Sequence, residues 1–144
     1  MSIYFGDHKL DVLRILGNPN KEFYKDTNLY LNYLELGMDL MINSQDHTLA
    51  KIIMHSNFPY HPFFGFHNRC FFELDIKDQT INTISKFAEV HLLMEGNEQE
   101  QSNQQHFVRN VTSEFATHYH AFKSIIFEVM PSNGYIASVT LFKV

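Results

Sequence analysis

Three histidines and the only cysteine of the chain fall in one short stretch, His55-Ser-Asn-Phe-Pro-Tyr-His61-Pro-Phe-Phe-Gly-Phe-His67-Asn-Arg-Cys70. Imidazole and thiolate are zinc ligands, so a tetrahedral site of His55, His61, His67 and Cys70 is chemically open. The spacing differs from that of the common zinc fingers, which pair their ligands two to five residues apart at both ends. The competing reading places His55 and Cys70 on strands and lets His61 and His67 decorate a loop. Cys70 alternates with Phe72 and Leu74, as a small buried hydrophobe would. Cys70 is also a candidate nucleophile with a nearby His as base. It lacks the flanking motif of a known thiol enzyme, and in sequence only Arg69 supplies positive charge beside it.

His118 and His120 lie two apart and share a face if they are on a strand. Glu35 and Asp39 flank Gly37 next to apolar stretches. Either could act as a general acid or base if buried, against the more ordinary reading of solvent-facing acids beside a bend. The chain has no P-loop, dinucleotide fingerprint, nucleophile elbow or HExxH motif. The expectation is a protein that is not an enzyme, with no catalytic residues and no cofactor. Phe58, Tyr60, Phe63, Phe64 and Phe66 crowd one loop with Pro59, Pro62 and Gly65. Rigid exposed aromatics resemble interface anchors, which makes these five the candidate partner-binding residues. The alternative is that the loop folds back over the core.

The elements that must hold these residues follow from local pattern. Asp7 is placed to cap a helix over 8–16, with Leu10, Val12, Leu13, Ile15 and Leu16 on its buried side. Gly17 and Asn18-Pro19 end it. Residues 29–42 alternate as a strand, with Gly37 as a bulge or bend. Asn43-Ser44-Gln45-Asp46 is a turn, and Leu49–His55 is the returning strand. Arg69–Ile76 is read as a further strand and 81–94 as a second helix. The segment 95–105 is read as a polar loop, and 107–119 as one or two short strands. Ser124–Met130 and Tyr135–Phe142 are two strands joined through Asn133-Gly134. Consecutive strands with short turns pair antiparallel, and helices must cover one face of the sheet. The predicted fold is a single α+β domain over 1–144, an antiparallel meander with one or two helices on one face. A space between helix and sheet could then hold a small ligand.

Composition agrees with a packed domain. The chain has 144 residues, is 44% hydrophobic with 14 Phe and 7 Tyr, and carries a formal net charge of −5. An acidic chain lacks the basic field that attracts nucleic acid or anionic lipid, so neither partner is expected directly. A lone cysteine and an N-terminus without an apolar run favour a cytoplasmic setting.

Several blocks resemble a known family. They are Asp11-Val-Leu-Arg-Ile-Leu-Gly17-Asn-Pro19, Asn32-Tyr33-Leu-Glu-Leu-Gly37-Met-Asp39, His55-Ser-Asn57-Phe-Pro59-Tyr-His61 followed by His67-Asn-Arg69-Cys70, and the closing pair Ile126–Met130 and Ile136–Leu141. They are similar to segments of the phagophore (phagosome) assembly factor 1 family, and the chain looks like its C-terminal portion. Little match is evident between Lys77 and Lys123. The resemblance implies a non-catalytic role in autophagy, with recruitment to the phagophore assembly site. It also implies pairing with a WD-repeat β-propeller protein, with membrane contact only through that partner. No catalytic residue or cofactor is implied.

Overall fold

A computed structural model of the chain describes residues 2–59, 61, 64–95, 105–108 (backbone only) and 117–143. The expected polar loop therefore lies, over 96–104, outside the described residues. So do Tyr60 and Phe63 of the aromatic loop.

The first helix, α1, spans Lys9–Leu16 and ends as expected. Gly17 takes φ +82°, and its N–H donates to Leu13 C=O at 2.8 Å. The start differs. His8, not Asp7, is the N-cap, with Nδ1 accepting from the Leu10 N–H. Asp7 is drawn away because its carboxylate accepts from the Tyr4 N–H and closes the preceding turn. Val12 is wholly buried, whereas Leu10 is 67% exposed.

Among the described residues, eight strands form one antiparallel sheet. They are β1 (Lys21–Lys25), β2 (Asn28–Tyr33), β3 (Met38–Ile42), β4 (Leu49–His55), β7 (Gln105–Val108), β8 (His118–Ala121), β9 (Ile125–Val129) and β10 (Ile136–Phe142). Their order is β1-β2-β3-β4-β10-β9-β8-β7. The sheet is thus two meanders rather than one, joined where β4 pairs with the last strand. Residues 29–42 do not run as one bulged strand. They fold back at Leu34–Gly37 to make the hairpin of β2 and β3. Between the meanders lie a separate hairpin of β5 (Glu73–Ile76) and β6 (Gln79–Asn82), and the helix α2 (Phe87–Glu95). Ile81 and Ile84 suggested an earlier helix start, but pairing with β5 claims Gln79–Asn82, and helical backbone begins only at Phe87.

Strand alternation sends apolar side chains to one face. Cross-strand rows such as Leu31–Leu40–Ile52–Leu141 and Met38–Met54–Val139–Phe127 define it. Val12 of α1 packs with Leu29, Leu31, Leu40, Ile42 and Leu49 at one end. Phe87, Val90 and Met94 of α2 pack with Phe72, Ile81, Phe127 and Val139 at the other. Ile52 touches both clusters. Both helices therefore cover the same face, as an α+β layer fold requires. The space between helix and sheet is occupied by these side chains.

Candidate functional site

The opposite face of the sheet is polar at its centre. Asn32 of β2 pairs in register with Asp39 of β3, and Ser138 of β10 sits between His55 of β4 and Glu128 of β9. Tyr119 of β8 lies beside Glu128. A cleft of about 530 Å³ opens over this row, with Lys21, Lys25 and Phe66 also on its walls. The loop following β4 brings His61 and His67 onto the same cleft.

That loop is tied down by backbone bonds. The Asn68 N–H donates to Leu34 C=O, and the Cys70 N–H to His55 C=O, both at 2.8 Å. Arg69 Nε donates to Ser56 C=O, and its guanidinium lies 4.9 Å from the Phe58 ring centre. Phe58 also stacks on Tyr135 at 5.0 Å. Gly37 makes this approach possible. Its φ is +69°, and a Cβ there would strike Asn68 O and lie 2.6 Å from Cys70 N. Only glycine combines that backbone with so close a neighbour.

Two carboxylate centres result. At the first, His55 Nε2 lies 2.9 Å from Asp39 Oδ2, and His67 Nε2 lies 3.5 Å from the same oxygen. Asn32 Nδ2 donates to Asp39 Oδ1 and lies 3.0 Å from His67 Nε2. The two imidazoles stack with centres 4.0 Å apart. Burial pushes the Asp39 carboxyl up, but the hydrogen bonds from His55, His67 and Asn32, and the charge of His55, outweigh it. The group is held well below the usual carboxylate range.

At the second centre Glu128, 3% exposed, accepts from Thr117 at 2.7 Å, His61 at 2.9 Å, Tyr119 at 3.0 Å and Ser138 at 2.8 Å. Burial again raises its pKa. The bond and charge of His61 and the hydroxyls of Thr117 and Ser138 outweigh this and bring it down to about 2.

The four ligands suggested by sequence spacing do not converge. His55 and His67 meet, but their third partner is Asp39, and His61 is engaged with Glu128. Cys70 packs against the apolar cluster on the helix side, and burial pushes its thiol up, which opposes thiolate chemistry. His120 stacks on Phe87 at 4.2 Å, on the helix side of the sheet, while the intervening Tyr119 faces Glu128. Of the described loop aromatics, Phe58 is half-buried, whereas Phe64 is 53% and Phe66 63% exposed. Glu128, Asn32 and Ser138 were not singled out for chemistry. An acid inside an apolar β-strand, Ile-Ile-Phe-Glu128-Val, was the available signal.

Several of the residues that carried the family resemblance thus meet at one place. Asn32, Asp39, His55, His61 and His67 together line the cleft. The sequence model of the phagosome assembly factor 1 family matches residues 25–142. The chain belongs to this family. The match runs through the 77–123 segment, where little similarity was expected. Among relatives, a PHAF1 protein of Caenorhabditis elegans is 32% identical over 162 residues, covering 97% of this chain and 38% of that protein. One of Drosophila melanogaster is 27% identical, covering 97% of this chain and 41% of that protein. One of Arabidopsis thaliana is 25% identical, covering 79% and 29%. The chain spans about two fifths of the length of the two animal relatives. No solved structure matches the chain significantly. Among the described residues, no helix is long and apolar enough to cross a membrane.

Proposed function

We propose that the chain is a non-catalytic protein-binding module that acts in assembly of the phagosome or autophagosome, in the cytoplasm and at the phagophore assembly site. Its partner is a WD-repeat β-propeller protein, through which it meets the membrane. The observation that carries this reading is the family match over residues 25–142. Phe64 and Phe66 give it a surface, because exposed aromatics on a braced loop serve as interface anchors. The test is affinity capture of the tagged chain from its own cells, scored by mass spectrometry. A WD-repeat protein recovered by the intact chain and lost with Phe64→Ala/Phe66→Ala supports the reading. Its absence from both samples overturns it.

A second reading follows from the cleft, whose volume lies within the roughly 300–1,000 Å³ usual for small-ligand sites. In that reading the cleft holds a small polar molecule on the face away from the helices. A library screen that raises Tm in the intact chain but not in Ser138→Phe would support it.

A further inference from the structure

One ring nitrogen each of His55 and His67 and one oxygen of Asp39 lie within 4.8 Å of one another. Each is supplied by a different piece of backbone: β4, the pinned loop and β3. The contacts around them constrain where the lone pairs point. Asp39 accepts only, so the Asn32 amide nitrogen must be the atom facing Oδ1. The same nitrogen is 3.0 Å from His67 Nε2, where a second N–H would oppose it. His67 Nε2 accepts from Asn32 in its unprotonated form and, 3.5 Å from Asp39 Oδ2, donates to the carboxylate when it carries the proton. In the unprotonated form three ligand atoms from His55, His67 and Asp39 converge on one position that a cation can fill.

We propose that Asp39, His55 and His67 form a binding site for one divalent first-row cation, with zinc the best fit and the fourth position open to the cleft. Two imidazoles and a carboxylate are the donor set that leaves such a position. Tetrahedral ligands at Zn–N of about 2.1 Å stand roughly 3.4 Å apart, and the two carboxylate–imidazole spacings bracket that value. The third pair, His55 and His67, lies within the same 4.8 Å and closes by side-chain rotation. On binding, zinc would take the position between His55 Nε2 and Asp39 Oδ2, with neutral His55 carrying its N–H on Nδ1. Asn32 stays on Asp39 Oδ1 and orients the carboxylate from outside the ligand set. Cys70 and His61 take no part. The inference does not rest on the proposed partner, because its ligands are Asp39, His55 and His67 and none of the exposed aromatics, although Phe66 borders the same cleft.

The test is titration of the chelator-stripped chain with Zn²⁺ alone, followed calorimetrically. The expected result is one ion per chain, with Asp39→Asn weakening binding by more than about 100-fold and Asn32→Ala by about 10-fold. Cys70→Ser and His61→Ala should leave it unchanged. No uptake by the intact chain, or equal uptake by Asp39→Asn, overturns the proposal. Loss of uptake in Cys70→Ser also does so. Should a variant fail to fold, histidine side-chain NMR of the intact chain decides. Zinc must shift the Nε2 resonances of His55 and His67 while leaving that of His61 in place. Any other pattern rejects the site.

Discussion

Glu128 is a carboxylate on an inner strand that would be costly to bury without donors. Its substitution by glutamine is therefore a sharp probe of the fold. In the folded chain its pKa falls from an ordinary 4.5 to about 2. At 1.36 kcal/mol per tenfold change, that depression corresponds to about 3 kcal/mol in favour of the native state. The sign follows from the direction. The ionised form is favoured by folding, so the stabilisation is complete above about pH 5 and disappears as pH falls through the folded value. About two thirds of it should be gone at about pH 3. Glu128→Gln presents an amide to His61, Thr117, Tyr119 and Ser138, and one of its atoms is a donor among donors. Urea unfolding at about pH 7 should place the variant roughly 3 kcal/mol below the parent, and at about pH 3 roughly 1 kcal/mol below it. A gap of equal size at both values would refute the reasoning, since a purely steric effect of the amide has no reason to fade with acid.

Other outcomes can be checked in the same unfolding assay. Gly37→Ala should cost about 3 kcal/mol or more, because αL strain of about 1–2 kcal/mol adds to collision with the loop backbone. A cost under about 1 kcal/mol would mean that the loop does not approach β3 so closely. Thr27→Gly should stabilise by about 1 kcal/mol, because a β-branched residue now sits at φ 70° in the β1–β2 turn. Asp78→Gly should act in the same direction at φ 66°. Phe64→Ala and Phe66→Ala should each change stability by less than about 0.5 kcal/mol, whereas Phe127→Ala should cost about 3–5 kcal/mol. A large loss from the first two would place that part of the loop in the core.

Local signals gave the endings of elements more readily than their beginnings. Gly17 stops α1 because φ +82° suits no other residue well, and that constraint is visible in one letter. The hairpin through Asn133-Gly134 is visible for the same reason, with Gly134 at φ 77°. The N-cap of α1 was misplaced because Asp7 and His8 both have acceptors, and only the turn at Tyr4 decides between them. β1 could not be read, because Lys21–Lys25 is exposed throughout and carries no apolar alternation. At the site, spacing marked His55 and His67 correctly as neighbours in space. Asp39 and Glu128 join them only through strand pairing across the sheet, which has no period in the sequence. His61 and Cys70 lie as near to His67 along the chain, yet one is held by Glu128 and the other turns to the apolar side.

The seam between β4 and β10 has a consequence for how the chain comes to be folded. Ser138 pairs with His55 across most of the intervening sequence, and no short turn brings the two strands together. Such distant pairings carry a large loop-closure cost and slow the search for the native state. During synthesis the first meander is complete long before β10 emerges. Over that interval Leu49–His55 is an open edge, with the apolar surface of Ile52 and Met54 beside it. Until the final hairpin arrives, that strand is the edge of the first meander most open to mispairing.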